Sequence, residues 1–339
     1  MGLKNTATIG FLAGALALGA TTASAETILK ADTSGVGGVN HTLFKVLAGV
    51  LKTEAGITMQ VNEGQTLTRS ALKLGAGRID IMPAPPSVMQ HMQAGTRMYR
   101  KNKEVAQAGA KNLRLINSFV GGFWHLMVYD DSPIKTLADI KGKKVFVGPP
   151  VGGAVVTALE MIKSFANLTP KDFEAVKLPW NAGVQAMLDG KLDMFMRPAG
   201  MGAATIDQIG AKRPFRLITL EAQPGAPGWD EFLKGLGRTP SKIPAGTYKN
   251  QTNNKQDIVA NALTSQLVVR AGLDAEIVYK ITKTMFDNLE KMQKSAVVLK
   301  SISRDEVFSG ANVRLHPGAI RYYKEVGKKI PERLLPNQS

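Results

Sequence analysis

The chain has 339 residues, 44% of them hydrophobic and 21% charged, which suits a soluble protein with two sizeable cores. It contains no cysteine, which excludes disulfides, a thiolate nucleophile, a cysteine-ligated metal and a lipid anchor on an N-terminal cysteine. The formal net charge is +16. The basic residues are scattered, and their densest cluster, Arg97, Arg100, Lys101 and Lys103, has Tyr99 as its only aromatic. The charge therefore reads as solubility and steering of anions, with no nucleic acid as partner.

Lys4 precedes an apolar run over residues 9–20 that is short for a bilayer span, and Ala23-Ser24-Ala25 is a small-x-small site. This order predicts an export signal over residues 1–25, cleaved after Ala25, and a periplasmic mature protein. No later run of eighteen apolar residues follows.

Residues 28–51 read strand, SGVGG loop, then a helix with Leu43, Leu47 and Val50 on one face. Ile57–Val61 alternates as a strand and leads through a polar turn to a helix with Leu67, Ala71 and Leu74 inward. A short strand ends at Pro83, Pro85 and Pro86, Ser87 caps a helix to about residue 94, and 95–112 reads as a basic loop with a helical turn. Leu113–Phe119 and His125–Asp130 read as two strands separated by Gly121-Gly122, followed by a short helix within 132–143.

Residues 144–166 repeat the first device: strand Val145–Val147, a glycine and proline loop, and a helix with Val155, Leu159, Ile162 and Phe165 on one face. A helix starting at a glycine loop offers unpaired N–H groups and its positive dipole end, a ready anion site. For either loop alone a plain tight turn serves as well. Neither is a Walker motif, and Gly35, Gly37 and Gly38 lack dinucleotide spacing. Strand Glu174–Leu178, a helix near 182–188, strand Leu192–Met196, a helix after Gly200-Met201-Gly202 and strand Phe215–Leu220 complete the alternation. Residues 221–256 read as irregular, and Ile258–Arg270 as one long strand. Asp274 caps a helix to about Met292, and Pro317 opens a last one to about Val326.

The alternation predicts an α/β fold of two lobes, each a mostly parallel sheet flanked by helices, with two crossovers forming a type II-like periplasmic-binding-protein clamshell. The expected lobes are 26–124 with 262–339, and 131–250, joined by hinge strands at about 125–130 and 251–261. Such a layout closes on a ligand.

Trp124 and Trp180 fall at strand ends, where α/β folds bind ligands, although core or hinge packing explains them equally. Asn40, Gln65 and Thr66 sit in loop-to-helix turns, where capping is the simpler role. Arg197 ends the apolar strand Leu192–Met196. A guanidinium there is costly to bury unless paired, and its planar fork suits a carboxylate. The alternatives are a structural acid, Asp193 or Glu221, or water. The four histidines, His41, His91, His125 and His316, show no metal-ligand spacing, His316 reads as a helix cap, and no nucleophile elbow is present. No catalytic residue, cofactor or metal is expected.

Several stretches carry a resemblance: SGVGGVNHTLFKVLAGVL at 34–51, LADIKGKKVFVGPPVGG at 137–153, IPAGTYKNQ at 243–251, VVRAGLDAEIVYKITKTMFDNL at 268–289 and LHPGAIRYYKE at 315–325. In this order they resemble the TAXI-type solute-binding proteins of tripartite ATP-independent periplasmic (TRAP) transporters. The resemblance implies a monomer that captures a small solute in the periplasm and delivers it to an integral membrane subunit, driven by an ion gradient. A periplasmic sensory adaptor using the same clamshell is the alternative, and an enzyme on this fold a further one. The sequence departs from the family's commoner pattern at Val39-Asn40-His41, Pro85-Pro86-Ser87, Gly153-Ala154 and Arg197. Those positions face the presumed ligand, so no family precedent such as glutamate is carried over. The candidate ligand-facing set is Ser34, Val39, Asn40, Gln65, Thr66, Pro86, Ser87, Trp124, Gly152, Gly153, Ala154, Trp180 and Arg197.

Overall fold

The computed structural model describes residues 1–2 and 27–336, so the expected export signal and its cleavage site lie outside the described residues. The first unit is β1 (Thr27–Asp32), α1 (Val39–Ala55) and β2 (Ile57–Asn62), with β1 and β2 parallel. Helix α1 buries Leu43, Phe44, Leu47, Val50 and Leu51 on one stripe and stops at Gly56, whose φ of 64° ends the helix in the left-handed region. Then follow α2 (Leu67–Gly75), β3 (Ile81–Ala84), α3 (Pro86–Ala94), a 3-10 segment at Arg97–Asn102 and α4 (Lys103–Ala110).

Three local expectations change here. Pro83 lies inside β3; pairing with β1 is confined to Ile81, so an absent N–H costs little there. Pro85, not Ser87, occupies the capping position of α3, and Pro86 fills the first turn, where a proline loses no bond. The basic stretch 95–112 is mostly helical: Tyr99 is buried and donates its hydroxyl to the Thr68 carbonyl at 2.9 Å, and Ala106 is buried.

β4 (Leu113–Tyr129) is one unbroken strand where two were expected. The second lobe then runs β5 (Lys144–Gly148), α5 (Gly153–Ala166), β6 (Glu174–Lys177), α6 (Trp180–Leu188), β7 (Met194–Ala199), α7 (Ala204–Lys212) and β8 (Phe215–Leu217). The span 221–256, expected to be irregular, contains α8 (Gly228–Phe232) and β9 (Arg238–Ile243). β9 pairs only with β10 (Ile258–Arg270), and this edge position tolerates its Pro240. The chain ends in α9 (Ala275–Asp287), α10 (Leu289–Ser295) and α11 (Pro317–Glu325). Asp274 caps α9 through the Glu276 and Ile277 N–H groups. The single helix expected to Met292 breaks at Asn288, whose side chain bonds the Thr284 carbonyl and competes with the helix ladder. His316 caps α11, its Nδ1 accepting from the Gly318 N–H.

Among the described residues the strands form one ten-stranded mixed sheet, with main order β2-β1-β3-β10-β4-β7-β5-β6. The expected pair of separate, mostly parallel sheets is thus corrected. The outer strands are parallel, but β4 and β10 run antiparallel through the middle and fuse them. The cores still divide in two regions. One gathers Phe44, Leu115, Val268 and Phe286. The other lies on both faces of the second half of β4, where Met127 packs with Phe146 and Phe195, and Leu126 and Val128 pack with Val145 and Phe165. That alternation follows the two-residue period of a strand covered on both sides.

The division falls at the middle of β4. Leu263 pairs with Gly122 and Thr264 with Val120, so Gly121 is the extra residue of a β-bulge. A Cβ on Gly121 would stand 2.6 Å from the Ser265 Cβ. Gly122 has φ of 139° and would place a Cβ 2.9 Å from the Ala199 carbonyl oxygen. Only glycine fits such a backbone without strain. Gly122→Ala should therefore cost about 1–3 kcal/mol in urea unfolding. Gly49→Ala, on α1 with open space around it, should be neutral or stabilise by up to about 1 kcal/mol.

Candidate functional site

Where the two cores part, a cavity of about 130 Å³ opens. This is close to the size that holds a benzene-sized molecule, roughly 150 Å³. Five helices begin at its wall. Gly38, Val39 and Asn40 start α1; Thr66, Leu67 and Thr68 start α2; Pro85, Ser87 and Val88 start α3; Gly152, Gly153 and Ala154 start α5; Trp180 starts α6. None of the five carries an acidic residue in its first turn, and none has a side-chain cap. Their free N–H groups and positive dipole ends are thus directed at one space without local compensation.

Arg197 lies inside β7, beside His125 of β4, and not beyond the strand end as expected. It is 2% exposed. One terminal nitrogen, Nη2, donates to the Val36 carbonyl at 3.0 Å, and the guanidinium carbon lies 5.4 Å from the centre of the Trp180 ring. The other, Nη1, is buried without a partner. Neither structural acid considered above reaches it: Asp193 accepts from the Lys144 N–H at 2.7 Å, and Glu221 is exposed. Burial lowers the Arg197 pKa to about 10. The side chain nevertheless stays protonated at neutral pH, as a buried cation lacking an anion.

His125 shows how the surroundings adapt. It is fully buried; its Nδ1 donates to the Phe123 carbonyl at 2.8 Å, and its Nε2 lies 2.7 Å from the Tyr248 hydroxyl. Its burial disfavours the charged ring, and in the neutral form Nε2 accepts from the Tyr248 hydroxyl, for whose proton the Gly200 carbonyl at 3.2 Å competes. Burial, with the Arg197 charge as a lesser cause, takes its pKa down to about 4.

The sequence candidates converge on this space. Ser34, Val39, Asn40, Gln65, Thr66, Ser87, Trp124, Gly152, Gly153, Ala154, Trp180 and Arg197 all line the cavity. Pro86 does not; Pro85 takes its place, because Pro86 faces Gly237. The capping role considered for Asn40 and Thr66 is absent, and the Asn40 Oδ1 is buried without a partner. Gln65 is held locally, donating to the Glu63 carbonyl and accepting from Lys73. Trp124 is 1% exposed and packs in the second-lobe core, yet its indole N–H has no acceptor.

Several lining residues escape sequence reasoning. Gly121 and Ser265 come together only because β4 bulges against β10, and the Ser265 hydroxyl has no partner. The run of three polar residues Thr264-Ser265-Gln266 in a largely apolar strand was the available signal. Thr68 and Thr157 also line the cavity, as does the segment 236–238. Arg238 is engaged elsewhere: it bonds Glu160 and donates to the Phe232 carbonyl at 2.7 Å. None of the four histidines lines the cavity, and among the described residues no group of three or more His, Asp or Glu side chains could hold a metal.

Contacts across the cavity join the two sides. Arg197 reaches Val36, Arg97 lies 3.3 Å from Glu160, and the Trp180 ring packs directly on Gly35. The cavity is thus enclosed between opposed walls.

A model of the NMT1-like family matches residues 32–327. Among solved structures, a periplasmic transporter aligns over 90% of this chain and 94% of its own, at 17% identity and a TM-score of 0.54. That likeness is one of fold, the two-lobed α/β fold of periplasmic binding proteins. Weaker similarities include a TRAP periplasmic solute-binding protein from Pseudomonas aeruginosa with bound L-malate, at 11% identity and a TM-score of 0.47 over 80% of this chain and 86% of that one. The aliphatic sulphonate binding protein SsuA of Escherichia coli matches at 15% identity and 0.44, over 88% and 83%. Among the described residues no helix is long and apolar enough to cross a membrane.

The neutral, buried His125 makes stability pH-dependent. Above its unfolded pKa of 6.5 the ring is neutral in both states and costs nothing. Below it the unfolded chain takes up a proton that the folded chain refuses until about pH 4. Stability should thus fall between pH 6.5 and 4, by about 3 kcal/mol from this group. Urea titrations of the wild type and His125→Phe across this window should differ in slope accordingly; parallel curves would show that His125 is protonated in the fold.

Proposed function

We propose, from the premise that this chain belongs to the NMT1-like family, that it is a TAXI-type solute-binding protein. In this reading it is exported to the periplasm as a monomer. It captures a small carboxylate-bearing solute between its lobes and delivers it to the integral membrane subunit of a TRAP transporter. The observation that carries the reading is the unpaired Nη1 of Arg197, a buried cation lining an enclosed cavity and meeting no anion among the described residues. A bound carboxylate would complete the guanidinium's planar fork and accept from the helix N–H groups around it. The enclosure by both lobes supports capture by closure. Among the described residues no histidine, aspartate, glutamate or lysine lines the cavity, which supports binding without turnover.

Arg197→Lys should weaken binding of a carboxylate found by thermal-shift screening by about tenfold to a hundredfold, the value of a degraded charge-assisted pair. Arg197→Met should abolish binding yet leave ligand-free stability unchanged or raised, because it removes a buried charge that lacks a counter-ion. Unchanged affinity in both variants, or turnover of the hit, would defeat the proposal.

Gly153 gives an independent check on closure. A Cβ there would stand 3.5 Å from Val88 of the opposite wall. Gly153→Val should lower affinity by at least about tenfold through crowding of the closed cavity, with a near-native circular dichroism spectrum. Loss of fold in that variant would assign the glycine to the turn alone.

A further inference from the structure

We infer that the solute is an amine-free organic anion, a single carboxylate on an apolar body, and that the cavity discriminates against α-amino acids. This rests on the anion-binding reading above and names the class of ligand. Among the described residues no aspartate or glutamate lines the cavity. The nearby acids are already engaged. Glu160 bonds Arg97 and Arg238, Glu63 meets His41 and Lys45, and Asp32 accepts from Ser70, Lys73 and Asn62.

An α-amino acid whose carboxylate met Arg197 would carry its ammonium group a few ångströms from a buried guanidinium and five uncompensated helix N-termini. Like charges this close, in a poorly solvated space, oppose binding strongly. The unpaired polar atoms agree. The Trp124 indole N–H and the Arg197 Nη1 can only donate, and so require oxygen acceptors on the ligand. The Ser265 hydroxyl can serve either way. Asn40 offers its Oδ1, but a reversal of its amide presents a donor instead. A hydroxyl or oxo oxygen in place of the amine therefore fits this set, and an ammonium does not.

The remaining wall is apolar. Leu67, Val88, Trp180 and Leu263 face the space, and Val151 and Leu236 line it while still 47% and 40% exposed. Exposed apolar side chains at a binding cavity are surface that an apolar ligand body would cover.

Calorimetry on the intact mature protein tests this with matched solutes: leucine and phenylalanine against their oxo acid and hydroxy acid analogues. The amine-free member of each pair should bind at least about tenfold to a hundredfold tighter. Ser87→Asp places a carboxylate at the cavity wall, in a helix first turn that favours it, and should narrow that ratio or reverse it. Equal or tighter binding of the amino acids overturns the inference. So does a ratio unmoved by Ser87→Asp, and so does failure of every amine-free acid to bind. Two further arms separate this inference from the reading beneath it. If an amino acid binds best and Arg197→Met abolishes it, the anion site stands and the amine-free class falls; if a dicarboxylate binds best and Arg197→Met abolishes it, the anion site stands and the single carboxylate on an apolar body falls. If only the neutral alcohol analogues bind, and Arg197→Met leaves them bound, both fall.

Discussion

A guanidinium held away from water without an anion is the constraint on which this structure turns. The drop of the Arg197 pKa to about 10 corresponds to about 3 kcal/mol disfavouring the charged form. One carbonyl bond to Val36 and the face of Trp180 offset only part of that. The consequences spread outward. Its strand neighbour His125 is neutral chiefly through its own burial, with the Arg197 charge adding to it, and is held by the Phe123 carbonyl and the Tyr248 hydroxyl. The helices whose N-termini reach the cavity do without first-turn acids, so the positive potential is not cancelled by the fold itself. In the proposed reading, an anion bound at Arg197 would offset that burial cost.

The position of that charge depends on the crossing strands. β4 and β10 belong to both lobes, and their ladder changes register at Leu263/Thr264. The bulge lets Gly121 and Ser265 form part of the cavity wall while Trp124 and His125, two and three residues beyond Gly122, enter the second core. The two glycines are sterically required, because backbone or Cβ atoms of neighbouring strands occupy the space beside them. A change of relative lobe orientation would most readily be absorbed at such an interrupted ladder. The bond from Arg197 to the Val36 carbonyl links the two sides of the cavity.

Much of the fold was legible because it rests on local periodicity. The long run Ile258–Arg270 and the helices after the two glycine loops were read from spacing alone, and Asp274 and His316 from capping chemistry. The misreadings share a cause. Gly121-Gly122 reads locally as a strand break, but pairing with β10 on one side and β7 on the other carries the strand through. β9 contains Pro240 and polar residues, and is a strand only because the edge of β10 was open to it. The basic cluster around Tyr99 reads as solvated loop until a carbonyl of α2 accepts from the tyrosine. In each case a partner distant in sequence overrode the local preference.

The candidate site divides along the same line. The sequence by itself determined which turns precede helices, that two glycine loops offer free N–H groups, and that an arginine interrupts an apolar strand. These are properties of neighbouring residues, set by sterics, hydrogen-bonding capacity and side-chain period. Only the tertiary structure decided that Arg197 meets no carboxylate, that Trp124 and Ser265 lack partners, that Pro85 replaces Pro86 at the wall, and that five helix starts converge on one cavity. Those are statements about what surrounds a group from every side. Burial and pairing depend on chain segments more than a hundred residues apart, brought together by packing of the whole molecule, and no local pattern encodes them.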